Sequence, residues 1–433
     1  SLAAINVSFF LSKKTKANIP LINFKTPSIG KYFNKIVNSG PDLDIYSLYL
    51  SSNGIINKKK TFFKKIKFLQ AGKYITGSRF GYKLNKYFEP VDLFEDKLNL
   101  IQKKNSLKDS EECLNYLIKK SISRHLVSDV DIGVLLSGGI DSSLLYYYAL
   151  QQNKKITSFT SFSPQIENNT FNLVPKIIKK FPSKKNYYIF QKKSNYIHDL
   201  KNLIDDSHNP PRWGGGPPMS RLCKKARDCK IKVLIGGDGV DEISGGYNTM
   251  INLLKSKNLN KTSIHETLKL SKSRVISKNK YFYEFEKSMI SEKMKILDKL
   301  KKTKNINDRI VNSLLIQDTT SFLQMCTLPH SDEYSMYNSI ELRNPFLDLD
   351  LVKFIFNEPI EKKITKNTSK VLFKALSKKF FGKFIDKEKE GTRNYSRYIS
   401  NPLFWNLKEF KLTEIIEIKK NYSELPLKLL YKI

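Results

Sequence analysis

Residues 131–139, DIGVLLSGG, form an apolar run that stops on a glycine pair, and DSSLLYYYALQQ follows at once with helical character. Such a run has no polar face to offer water. It fits a strand covered on both sides, which requires a mostly parallel sheet with helices above and below. The same alternation recurs. KITSFTSF (155–162), NYYIF (186–190) and KIKVLIGG (230–237) read as three more strands with helix-like segments between them. The expected fold class is therefore α/β, a doubly wound parallel sheet.

The flanks read differently. Residues 1–60 mix short apolar runs with Lys, Asn and Ser, and carry loop signals at Pro27–Gly30 and Ser39–Asp42. Residues 61–90 alternate apolar and polar side chains around Ala71-Gly72 and Gly77, the pattern of β-hairpin material. From 94 the period changes. Leu98, Ile101, Cys113, Tyr116, Leu117 and Ile122 predict helices leading into a new domain, so the expected division is 1–93 and 94–433. Beyond about 250 the text is predominantly helical and ends in a Lys-rich tail; no internal repeat is visible.

With 433 residues and 40% apolar side chains, the chain has ample material for a core. Its formal charge of +35 suggests nucleic acid or an anionic membrane. Only ten of its 76 basic residues are arginine, however, and nucleic-acid readers rely on Arg for bidentate contacts. The lysine load reads as compositional bias on solvated faces, and neither a nucleic-acid nor a membrane partner is expected. Cys113, Cys223, Cys229 and Cys326 show no CxxC pair, which argues against zinc and disulfides and for a reducing, cytoplasmic setting. The apolar start Leu2–Leu11 is too short to span a bilayer and lacks the basic region of a signal peptide. A chain opening on Ser1 is expected to be a fragment, a processed product or a trimmed form.

The chemistry concentrates at Ser137-Gly138-Gly139-Ile140-Asp141-Ser142-Ser143, between the first strand and its helix. A glycine pair lets backbone approach a polyanion, and helix N-terminal N–H groups then point at it. Asp141 would repel that anion unless it held a metal, so the combination implies Mg²⁺ bridging protein and phosphate. A helix merely capped by Ser and Asp would explain the serines but not this ordered combination.

The SGGIDSS segment resembles the pyrophosphate loop of ATP pyrophosphatases, a superfamily that cleaves ATP between its α and β phosphates. Three further segments are similar to the asparagine synthetase family. They are Gly236-Gly237-Asp238-Gly239-Val240-Asp241-Glu242 with Gly245-Gly246-Tyr247, the stretch Ser335–Asp348, and Thr368-Ser369-Lys370-Val371-Leu372-Phe373-Lys374 with Lys387–Gly391. By its residues alone Ser335–Asp348 reads as a helix ended by Pro345. Asp238 stands where many members have Glu, Lys374 where Arg is usual and Thr392 where an aromatic is usual.

The resemblance implies an ATP-pyrophosphatase-type sheet (adenine nucleotide alpha hydrolase-like) with a helical C-terminal half and a small, partly β N-terminal remnant. It implies an amide-forming ligase that uses ATP and Mg²⁺ and releases AMP and pyrophosphate. By family default a β-carboxylate of aspartate forms an acyl-adenylate and ammonia completes asparagine. It also implies roles: Leu136, Ser137, Gly138, Gly139, Asp141, Ser142, Ser143, Phe162 and Gly237 toward ATP, Asp141 and Asp241 toward the metal, and Lys370 and Asp238 in catalysis. The glutaminase of the family begins with a catalytic cysteine and carries Arg-Gly-Pro-Asp. Here Ser39-Gly40-Pro41-Asp42 lacks the Arg and the first cysteine is Cys113, so 1–93 is expected to be an incomplete glutaminase-like region.

Partners left open are a separate glutaminase subunit and a second copy of the chain. The main alternative is a relative that amidates or cyclises another carboxylate, such as a surface-sugar acid or β-lactam precursor. It is suggested by SHNPPRWGGGPP (207–218), where an acidic Asp-Glu-Pro is usual and Asp205-Asp206 could stand in. Alternatives of other classes are an RNA-modifying ATP pyrophosphatase and a non-catalytic subunit.

Overall fold

The computed structural model describes residues 42–51, 59–78, 81–95, 105–162, 169–191, 198–199, 202–203, 215–255, 280–301 and 306–382. The sequence features at 27–30, Leu98, Ile101, 205–214 and 387–392 lie outside them.

A first helix, α1 (Leu43–Ser51), precedes a two-stranded antiparallel hairpin, β1 (Lys73–Ser78) and β2 (Gly81–Lys86). The last pairs of the hairpin are Gly77 with Tyr82 and Ser78 with Gly81. Gly72 lies at the open end, where its carbonyl accepts the Tyr87 N–H at 2.8 Å. The chain then enters α2 (Leu107–His125), started by a capping box in which Ser106 and Asp109 satisfy each other's backbone N–H groups.

The buried face of α2 is Ser110, Leu114, Ile118, Ser121 and Ile122. Cys113 and Tyr116, counted above as part of its apolar stripe, point outward. Hydropathy misses this because two buried positions are serines with partners. Ser110 Oγ donates to the Glu358 carboxylate, and Ser121 Oγ donates to Pro345 O at 2.6 Å.

Next come β3 (Ile132–Leu135), α3 (Ile140–Gln152), β4 (Thr157–Phe162), α4 (Asn169–Lys180), β5 (Lys185–Phe190), α5 (Gly216–Asp228) and β6 (Val233–Ile235). All pair in parallel, with β3 flanked by β4 and then β5 on one side and by β6 on the other. The direction of winding reverses between β3 and β6, the place where doubly wound sheets open a ligand crevice beyond the carboxyl ends of their strands. Side chains alternate as strand geometry demands. Ile132, Val134, Val233 and Ile235 join the main core, while Phe159 and Leu234 join a second core under α5. Each fully buried aliphatic side chain contributes about 1.5–3 kcal/mol, so covering both faces is what holds these short strands in place.

The second half is helical: α6 (Val240–Ser244), α7 (Asn248–Lys255), α8 (Lys280–Lys299) and α9 (Ile306–Asp318). A π-helical stretch, Thr319–Thr327, joins α9 to α10 (Leu328–Tyr337). The expectation of a helix running to Pro345 is overturned. The helix stops at Tyr337, Ser339 takes φ +56°, and β7 (Glu341–Arg343) adds a fifth parallel strand beside β6. The open edge of β6 supplies the reason. Glu341 N–H donates to Lys232 O and Gly236 N–H donates to Arg343 O, both at 2.8 Å. The chain closes with α11 (Leu349–Asn357), α12 (Ile360–Lys363) and α13 (Val371–Phe381). Among the described residues no helix is long and apolar enough to cross a membrane.

Candidate active site

The loop from β3 into α3 needs Gly138, whose φ of +76° lies in the left-handed region that side chains disfavour. Gly139 then caps α3 in extended conformation without a side-chain bond, leaving the helix N-terminus open toward the crevice. Ser142 shapes the loop from inside. Its Oγ accepts the Ser137 N–H at 3.2 Å, lies 3.0 Å from Ser137 Oγ and donates to Gly139 O at 3.2 Å. Ser143 is fully buried, with an Oγ that has no hydrogen-bond partner.

The facing loop leaves β6 at Gly236-Gly237. Gly237 lies against Asp141 and the Ser142 amide, so the second loop adds no side chain of its own at that contact. Beyond Asp238 and Gly239 comes the short helix α6, which carries Asp241 and Glu242. Lys370 arrives from a third direction as the left-handed N-cap of α13, with φ +53°. A tight loop delivers it, closed by the Ile364–Ser369 bridge and by Thr365 N–H donating to Thr368 O at 2.8 Å.

These three segments converge on one ammonium. Lys370 Nζ lies 2.6 Å from Asp141 Oδ2 and 2.6 Å from Asp241 Oδ1. Burial pulls its pKa down, but the charges of Asp141 and Asp241 outweigh that and hold it above the ordinary lysine value. Gly246 makes the close approach possible, because a Cβ there would overlap both Asp241 Oδ1 and Lys370 Cε.

Asp238 accepts a hydrogen bond from Ser331 Oγ at 2.6 Å. Its pKa is raised, first by burial and then by the charges of Asp241 and Asp141, against the lowering effect of Ser331. Beneath Asp241, the buried Glu242 accepts from Tyr247 Oη at 2.7 Å and from Thr327 Oγ1 at 3.3 Å. Burial, with the neighbouring Asp241 charge, pushes it up to about 8.

Asp141, Asp241, Lys370, Gly237 and the Ser137–Ser143 loop are thus gathered at one crevice edge, with Asp238 beside them. Leu136 and Phe162 stand apart in character. Leu136 is buried, and its N–H and C=O are already bonded to Phe159 O and Thr160 Oγ1. Phe162 ends β4 with its ring edge-on to Phe190 at 5.3 Å. Ser331, Gly246 and the Glu242–Tyr247 pair were not singled out from sequence. Glu242, Gly246 and Tyr247 lie within a motif already noted, whereas nothing in the sequence ties Ser331 to Asp238 ninety-three positions away.

The pair of aspartates suits a hard divalent ion such as Mg²⁺, since one oxygen from each already faces a common cation at 2.6 Å. No group of three or more His, Cys, Asp or Glu able to hold a metal occurs among the described residues. An ion there would complete its shell with substrate phosphates and water, as Mg²⁺ commonly does.

Comparison with known proteins bears on the family of the chain. The asparagine synthase family model matches residues 114–404. Asparagine synthetase [glutamine-hydrolyzing] 1 of Bacillus subtilis is 25% identical over 319 residues, covering 66% of this chain and 48% of that protein. A putative asparagine synthetase [glutamine-hydrolyzing] 1 of Methanocaldococcus jannaschii is 24% identical over 285 residues, covering 64% and 42%. The chain therefore spans about half the length of the curated relatives it matches. Among solved structures, an NH3-dependent NAD synthetase from Campylobacter jejuni aligns over 53% of this chain and 96% of its own, with 16% identity and a TM-score of 0.26. The chain belongs to the asparagine synthase family.

Proposed function

We propose that this chain is an ATP-dependent amide-forming ligase that releases AMP and pyrophosphate, with aspartate as acceptor and ammonia as nitrogen donor. The observation that carries the reading is the meeting of Asp141, Asp241 and Lys370 over the open N-terminus of α3. Asp141 and Asp241 would hold a magnesium ion whose charge offsets that of the leaving pyrophosphate.

The remaining work belongs to the protein. Backbone N–H groups of Gly138 and Gly139 and the hydroxyl of Ser137 receive the pyrophosphate, as helix N-termini receive anions, while the buried Ser142 and Ser143 support the loop from beneath. Leu136, Phe162 and Gly237 border the adenosine at the strand ends. Lys370 offsets charge on the α-phosphate while the acceptor carboxylate attacks it, and again while ammonia attacks the acyl-adenylate. Asp238, kept more basic than an ordinary carboxylate, takes a proton from the ammonia nitrogen as it attacks.

The test is pyrophosphate release with Mg·ATP and aspartate, comparing ammonium with glutamine. Aspartate-dependent release with ammonium, yielding asparagine and AMP, is expected. Release with glutamine as sole donor would require a glutaminase activity in the chain. No aspartate-dependent release under either condition would remove aspartate as acceptor.

A different acceptor carboxylate is the second reading, favoured by the start of α5. There Gly215 lies against His330, Gly216 against Tyr334, and Pro217 and Pro218 follow with no acid. Pyrophosphate release screened across other carboxylic acids separates the two.

A further inference from the structure

Lys370 stands where the two aspartates would place a divalent ion. Its Nζ is equidistant from Asp141 Oδ2 and Asp241 Oδ1, and a second cation cannot enter that point while the ammonium remains. The arrangement has a physical cause. Two carboxylates facing one point repel each other, and with Asp141 largely withdrawn from water they favour a cation between them whether or not nucleotide is bound.

The cluster is also built for exchange. The Asp241 side chain is 39% exposed, against 19% for Asp141 and 11% for Lys370, so solvent reaches the cluster from the Asp241 side. Gly246 places no side chain beside the lysine stem. The stem has four rotatable carbons and hangs from a helix cap rather than from mid-helix.

We propose that Lys370 is the resident counter-ion of the Asp141–Asp241 pair, that the divalent cation arriving with ATP displaces it, and that the freed ammonium then serves the α-phosphate. This rests on the reading of the two aspartates as metal ligands. It adds that loading the metal and arming the lysine are one event, so that Lys370 is held away from phosphate until the cation is in place.

Mn²⁺ serves as the probe, with free ion counted by electron paramagnetic resonance on the full chain without nucleotide. Lys370→Met is expected to bind Mn²⁺ at least about tenfold more tightly than the unaltered chain, because the competing charge is gone. Lys370→Arg, which keeps the charge, is expected to show no gain. The unaltered chain supplies an arm that does not depend on a variant folding. Acetylation of Lys370, followed by peptide mass, should rise when saturating Mn²⁺ is added.

Equal Mn²⁺ affinity in Lys370→Met and the unaltered chain, or unchanged acetylation at saturation, overturns the exchange. If the unaltered chain binds no Mn²⁺ even with a non-hydrolysable ATP analogue, the metal assignment itself falls. The two failures are therefore told apart.

Discussion

Lys363 and Lys370 stand seven residues apart at the two ends of one short loop, both buried, and their surroundings act on them in opposite directions. Lys370 meets two carboxylates and is held above the ordinary lysine value. Lys363 meets neutral oxygens, donating to Asn312 Oδ1 at 2.8 Å and to Phe356 O at 3.0 Å. Its burial wins over the attraction of Asp308, Glu358 and Glu361 and pushes it down to about 7. Burial works against the charged form of both; what separates them is whether a carboxylate lies within contact distance. Lys363 fastens the loop to α9 and α11, and Lys370 carries the charge to the crevice.

Substitutions at several points break the contrast, with losses of turnover that fall from Lys370 to Lys363. Replacing Lys370 by Met should lower pyrophosphate release at saturating ATP by about 10²–10³-fold, the usual cost of removing one preorganised charge-stabilising group. A smaller loss would mean that the ammonium is a structural counter-ion alone.

Gly246→Ala attacks the same contact from below by forcing a methyl group between Asp241 and Lys370. Turnover should fall about 10²-fold from misplacement. Stability should fall by only about 1–3 kcal/mol from overpacking, read by urea unfolding.

Ser331→Ala removes the 2.6 Å hydrogen bond to Asp238 and should cost about tenfold in kcat with little change in KM. Ser331 lowers the Asp238 pKa, so its loss raises that pKa further. Activity that needs ionised Asp238 disappears as pH falls through this value. The acidic limb of the rate profile should therefore move to higher pH, and an unmoved limb would exclude Asp238 as the base.

Lys363→Met should have the least effect on turnover and show itself in stability instead. The unfolded lysine keeps its proton up to 10.5 and the folded one only to about 7. Folding thus releases a proton between those values, and stability rises with pH across the window by up to about 1.4 kcal/mol per unit. Below pH 7 the cost of the buried charge is fully present. Melting curves at pH 6.5 and 9 should show this rise in the unaltered chain and its loss in the variant.

Much of the sheet was legible because its signals are local. Residues 131–139 and 155–162 could bury both faces only as parallel strands, and the Gly138-Gly139 turn marked the loop that opens the crevice. Asp141 stood out because it follows a glycine pair at a strand end, whereas the part expected of Asp241 came with the family resemblance. Lys370 did not stand out, since one lysine among so many carries no signal of its own; its family resemblance singled it out. Ser331 had neither advantage. β7 was missed for a related reason: Glu341–Arg343 becomes a strand only because β6 presents an unpaired edge to it.

Local sequence sufficed for what the backbone does over short stretches of the sheet: where strands end and where a glycine frees a turn. Those outcomes follow from sterics and hydropathy within a few residues. Long-range packing brought Asp141, Asp241 and Lys370 to one point and set Ser331 against Asp238. It also decided that Lys363 would be denied the carboxylate contact its neighbour receives. Contact distances between segments more than a hundred residues apart depend on how every intervening element packs, and charge interactions at 2.6 Å change steeply with that packing.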